Sequence, residues 1–201
     1  MSTQASIASQ ALLLLRHEGI SALSESPIVE ALYDDHIKHI LSIYPWTFAT
    51  KKRLLVQDST APINEYTYSH IIPAETLLIW ALFNSDDIGA SPVRDYDIYG
   101  TETARRIFSN HETLYADYTI YADENVWPPY FTLFAIHSLA AHVAIATTGN
   151  DELAMMYEQK AYGSNSANRK GGLFGVAAAT DAKQKRNEII VSSPIVEARF
   201  S

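Results

Sequence analysis

The sequence predicts an α+β chain that is mainly α: a helical bundle body, an inserted β-rich tip and an extended C-terminal tail. Three observations predict it. Apolar residues recur at three/four spacing near both ends of the chain, and short β-type runs fill the middle. Turn residues separate those runs, and the groups segregate along the chain instead of alternating. The body is expected over about residues 5–45 and 128–186, the β-rich insertion over about 50–122, and the tail over 188–201.

The first helix is predicted over residues 5–16, with Gly19 as its stop. The second has Ser26 in the capping position, Pro27 at the first helical position and Glu30 in the first turn. Val29, Leu32, Tyr33, Ile37, Ile40, Leu41 and Tyr44 form its buried stripe. Asp34 and Lys38 pair one turn apart on the wet side, and Pro45 blocks continuation. Strands are predicted over 53–56, 65–71, 77–83, 95–99, 105–108 and 115–121, the last rich in tyrosine and β-branched residues. Pro128 and Pro129 open a third helix over 130–147, stopped by Gly149. Further helices are expected over 151–162 and 174–185, separated by the polar loop 163–172.

Composition narrows the function. The 201-residue chain is 47% hydrophobic and 19% charged, which suits one globular domain. It has no cysteine, so disulfides, thiol nucleophiles and cysteine–metal sites are excluded. A net charge of −8 argues against a general nucleic-acid binder, although KKR at 51–53 is one local basic run beside Trp46 and Phe48. The stretch 125–150 lacks any Lys, Arg, Asp or Glu. Its paired prolines, histidines and acidic flanks suit a buried helix of a soluble protein better than a membrane span.

Catalytic signatures are missing from the sequence. The loop 163–172 resembles a phosphate-binding loop only superficially, since Asn168 stands where the second glycine belongs and Gly171 follows Lys170. His36 and His39, beside Asp34 and Asp35, read as a solvated helix face instead of a metal site. His137 and His142 are five residues apart and point in different directions. Asp86, Asp87, Asp95 and Asp97 fall in turns and strands where solvation explains them. No catalytic, metal or cofactor residue is assigned, and the chain is expected not to be an enzyme.

The third helix is apolar almost all the way round, so every side needs cover, either from a central position in its own chain or from a second subunit. On the second-subunit reading, Phe131, Phe134, Leu139, Ala140 and Val143 are the candidate interface, and Lys51, Lys52 and Arg53 cover a surface that faces either an acidic neighbour or DNA.

The order of several motifs resembles the head-to-tail adaptor proteins of short-tailed bacteriophages, the tail tubular protein A family. These are IYPWTFATKKRLL at 43–55, YTYSHIIPAE at 66–75, LYADYTIYA at 114–122, WPPYFTLFAIHSLAAH at 127–142, AAATDAK at 177–183 and VEARF at 196–200. The likeness covers roughly residues 28–201, departing at 163–172; the segment 17–26 before it also lacks the family's turn. It implies a structural virion protein at the head–tail junction, assembled in the host cytoplasm. A homo-oligomeric ring, usually of twelve copies, would sit beneath the portal protein and receive the tail nozzle or next tail component below. Viral DNA would pass transiently through its channel without sequence-specific contacts. Pro194, Ile195, Val196, Arg199 and Phe200 would dock on the portal. Asp95, Tyr96, Tyr99, Arg105 and Arg106 would form the tip facing the tail component. The competing readings are a cytoplasmic binding module for a small molecule or protein, and a small hydrolase with scattered His and Asp residues.

Overall fold

The computed structural model describes residues 2–59, 62, 65–87, 89–100, 105–164 and 170–184. Helices α1 (Gln4–Leu14) and α2 (Pro27–Ser42) come first. Eight strands follow: β1 (Thr50–Leu54), β2 (Val56–Asp58), β3 (Tyr68–Ile71), β4 (Thr76–Phe83), β5 (Pro92–Val93), β6 (Tyr96–Gly100), β7 (Arg105–Ser109) and β8 (Tyr115–Ile120). Helices α3 (Pro129–Thr148), α4 (Asp151–Tyr162) and α5 (Gly172–Ala182) close the order.

Of the described residues, 45% are helical and 22% are in strands. The mainly α expectation, a helical bundle bearing a β-rich tip, is therefore corrected: the protein is a mixed α+β fold. Two four-stranded antiparallel sheets, ordered β1-β8-β4-β5 and β2-β3-β7-β6, make up the β half. The physical reason is a second core. Leu55, Ile72, Leu82, Ile107, Leu114, Ala116 and Tyr118 are buried together and come from both sheets and their connections. Such a half folds around its own interior and is not an appendage. Leu55 is the step between sheets, separating β1 from β2; its amide donates to the Leu114 carbonyl at 2.8 Å. The predicted run 53–56 straddles that break, whereas the other five predicted runs each match a strand.

The larger core surrounds α3, against which α1, α2, α4 and α5 all pack. This helix is long and apolar enough to cross a membrane, with mean hydropathy 1.4 over its window. Here its apolar side chains meet the neighbouring helices, while Leu133 and Ile145 remain exposed. Gly149 ends α3 in the left-handed region, φ +65°, and its amide donates to the Ile145 carbonyl. At the N-terminal end, Pro27 occupies the first turn of α2 as predicted, but Ser26 makes no side-chain cap. The first helix stops at Leu14, with Arg16 at φ +66°, before Gly19 is reached.

The glycines flanking 163–172 serve backbone approach instead of phosphate binding. Gly163 has φ +80° and Gly172 φ +58°. The Gly171 amide donates to the Tyr162 carbonyl at 2.9 Å. A Cβ at Gly172 would lie 2.6 Å from the Lys160 carbonyl oxygen and 2.7 Å from the Gly163 nitrogen. Gly172→Ala is expected to cost about 2 kcal/mol or more through strain and clash, lowering Tm by roughly 5 °C. An unchanged melting curve would contradict this account of the junction.

Candidate functional site

Trp46 lies on the connection from α2 to β1 and packs in the helical core. It follows α2 by four residues and precedes β1 by four, and its side chain is wholly buried. Its indole Nε1 donates to the Ile40 carbonyl at 3.0 Å. Its ring lies 4.7 Å from Tyr44, 4.8 Å from Phe131, 6.0 Å from Phe174 and 6.2 Å from both Phe48 and Phe134. Beside it, the fully buried Asp181 carboxylate accepts from the Thr47 amide, from Thr47 Oγ1 at 2.7 Å and from Tyr130 OH at 2.8 Å. Burial, with the Asp181 hydrogen bond and charge, pushes the Tyr130 hydroxyl up to about 12. A second joint ties Glu75 Oε1 to Tyr118 OH at 3.2 Å and to Arg53 at 3.5 Å. The segments that carried the sequence resemblance thus touch one another: 43–55 meets 127–142 and 177–183 at the first joint, and 66–75 with 114–122 at the second. These are framework contacts.

The surface is indented by a groove of roughly 1090 Å³ between α2, α3, α4 and α5. His36, Ser138, Tyr162 and Phe174 line its inner wall, with Asp35, Asp151 and Glu158 among the charged lining residues. Ser138 Oγ bridges His36 Nε2 at 2.8 Å and Tyr162 OH at 2.7 Å. The His36 ring stacks on His142 with centroids 4.7 Å apart. Burial, followed by the neighbouring His142 and His39, pushes the His36 imidazole down to about 3. A buried neutral imidazole hydrogen-bonded to a hydroxyl relay fixes helix orientation. Among the described residues, no group of three or more His, Cys, Asp or Glu is arranged to hold a metal.

His36 is not on a solvated helix face, contrary to the sequence reading. It is buried at the same spacing as Tyr33 and Ile40 in the α2 stripe, and that spacing was the available signal. The five α3 residues expected at a subunit interface, Phe131, Phe134, Leu139, Ala140 and Val143, are corrected as well. All five are enclosed by the chain's own helices and present no surface to a neighbour. The packing of α1, α2, α4 and α5 around α3 supplies the cover, which is the central-helix alternative that the sequence left open.

Lys51, Lys52 and Arg53 are exposed on β1, an edge strand of its sheet. Lys52 Nζ sits 4.5 Å above the Phe83 ring and opposite Asp117 in register. On the other sheet, Asp95 accepts from Tyr66 OH at 3.0 Å, and Tyr99 stacks on Phe108 at 5.2 Å. Tyr96 packs against the β core, Arg105 donates to the Thr76 carbonyl at 2.6 Å, and Arg106 pairs with Asp58. These five residues therefore lie on or beside β6 and β7, and the Arg105 side chain reaches across to β4 of the other sheet. The tail residues Pro194, Ile195, Val196, Arg199 and Phe200 lie outside the described residues.

No protein-family model matches the chain, and a search of curated proteins finds no match.

Proposed function

We propose that this chain is a structural subunit of a phage head-to-tail adaptor, forming the ring that joins the portal to the tail and conducts DNA. The observation that carries the reading is the ordered set of sequence motifs, together with their convergence on the Trp46 and Glu75 joints. The net charge of −8 also suits a channel wall, because like charge prevents sticky contacts with passing phosphates. The chain acts without turnover: portal above, tail component below and sister subunits on either side are its partners. The portal contact is assigned to Pro194, Ile195, Val196, Arg199 and Phe200, whose apolar and cationic mixture suits a segment that orders on a partner.

The test is co-sedimentation of the protein with the portal ring of its own phage, using the intact chain and a truncation after Glu188. The intact chain is expected to pellet with the portal and the truncated chain to remain in solution. An intact chain that ignores the portal contradicts the function; a truncation that binds normally contradicts the role of the tail.

A further inference from the structure

We propose that the basic edge strand β1 of one copy docks in the acid-lined groove between α2, α3, α4 and α5 of the next copy. This inference rests on the ring reading and names the surfaces by which neighbouring subunits would meet.

The donor surface is β1 and the residues just after it. Lys51, Lys52 and Arg53 are exposed, and neither lysine forms an ion pair among the described residues. In its own chain this strand faces Glu75, which Arg53 reaches at 3.5 Å, and Asp117, opposite Lys52. Leu54 and Val56 are 49% and 59% exposed beside the charges. Within its sheet β1 pairs only with β8, so its outer backbone edge lacks a strand partner among the described residues. An edge that is both cationic and apolar resists pairing with a copy of itself, because like charges would meet.

The acceptor surface has the complementary character. Among the described residues, Asp35 on α2 and Asp151 on α4 bring carboxylates to the groove, with Glu158 beside them and one lysine, Lys170. Ala141, Ala154 and Phe174 supply apolar lining, while Ile145 and Met155 are each 58% exposed. Methionine adapts its shape to an incoming side chain, so Met155 suits a contact with Leu54 or Val56. Opposite charge steers the approach, and burial of the apolar side chains then holds it.

The two surfaces share no residue and sit on different elements. A contact between them is heterologous, leaving each copy with one unused donor and one unused acceptor. Such contacts propagate until a ring closes, which is the assembly that an adaptor needs.

The experiment mixes isotopically light and heavy protein at high concentration and low salt, then applies a zero-length carbodiimide that joins amines to carboxylates in ion-pair contact. Mass spectrometry is expected to find light–heavy links from Lys51 or Lys52 to Asp35, Asp151 or Glu158, which weaken as salt is raised. The double variant Lys51→Glu/Lys52→Glu should lose self-association by about tenfold or more, as should Asp35→Lys/Asp151→Lys. Mixing these two variants should restore association, and circular dichroism checks that both are folded. Absence of light–heavy links at these positions, or failure of the mixed variants to recover, overturns the proposal. Failure is separable from that of the adaptor reading. Portal binding without these links leaves the adaptor standing and removes this interface; links without portal binding do the reverse.

Discussion

Replacing Trp46 with alanine should lower Tm by about 10 °C or more. Truncating a large buried aromatic costs about 3–5 kcal/mol, and domains of this size lose roughly 2–4 °C per kcal/mol. The site is severe because five aromatic rings surround the indole and come from the α2–β1 connection, α3 and α5. No single element can move to fill the space without losing its own contacts. Against a typical total stability of about 5–15 kcal/mol, this loss brings the chain close to unfolding at physiological temperature. Trp46→Phe should fall in between, since it keeps ring packing but strands the Ile40 carbonyl, a loss of about 1 kcal/mol plus the missing volume. Thermal melts followed by circular dichroism check the ordering. A Trp46→Ala protein melting within about 2 °C of the unaltered chain would show that the joint does not organise the fold.

Acid should destabilise the protein through His36. Its folded-state imidazole titrates near 3, against 6.5 for the free side chain, because burial disfavours the charged form. The unfolded chain therefore takes up a proton as pH falls through about 6.5, while the folded chain resists until near 3. Stability is unaffected above the upper value and is lost progressively below it, by about 1.4 kcal/mol per pH unit. At pH 4.5 the loss is about 2–3 kcal/mol. His70, whose Nε2 lies 3.1 Å from the Glu112 carbonyl inside the β half, is also pushed down by burial and adds in the same direction. His36→Leu removes the proton-binding group while leaving Ser138 and Tyr162 bonded to each other. Urea midpoints measured across pH should show a flatter acid limb for the variant than for the unaltered chain. Parallel curves would contradict the prediction, since the carboxylate contributions are common to both proteins.

The helices were legible because their signals are local. Pro27 and Glu30 open α2, Asn150 caps α4 through the Leu153 amide, and Gly149 closes α3 with a left-handed turn. Most strands were legible too, from tyrosine, isoleucine and threonine between turn residues. The partition between α and β was not, because it depends on long-range pairing. Strands of two to eight residues do not reveal that β7 and β8 lie in different sheets with Ile107 and Tyr118 in one shared core. The same limit explains the corrected interface. An all-round apolar helix demands cover, but Phe131 or Val143 carries no signal telling whether that cover comes from its own chain or another. At His36 the information was local yet outweighed, since Asp34, Asp35 and Lys38 made a buried stripe position look like part of a charged face. The groove remained hidden because α2 meets the other three helices of its wall across the whole β half, as the Ser138–His36 separation of 102 positions illustrates.

The proposed assembly is a ring on a portal. Electron microscopy of the intact chain mixed with the portal of its own phage tests it most directly. End views are expected to show an added annulus coaxial with the portal, and side views one extra layer of density, neither of which the portal shows alone. Bare portals accompanied by free single subunits, at protein in large excess, would contradict it.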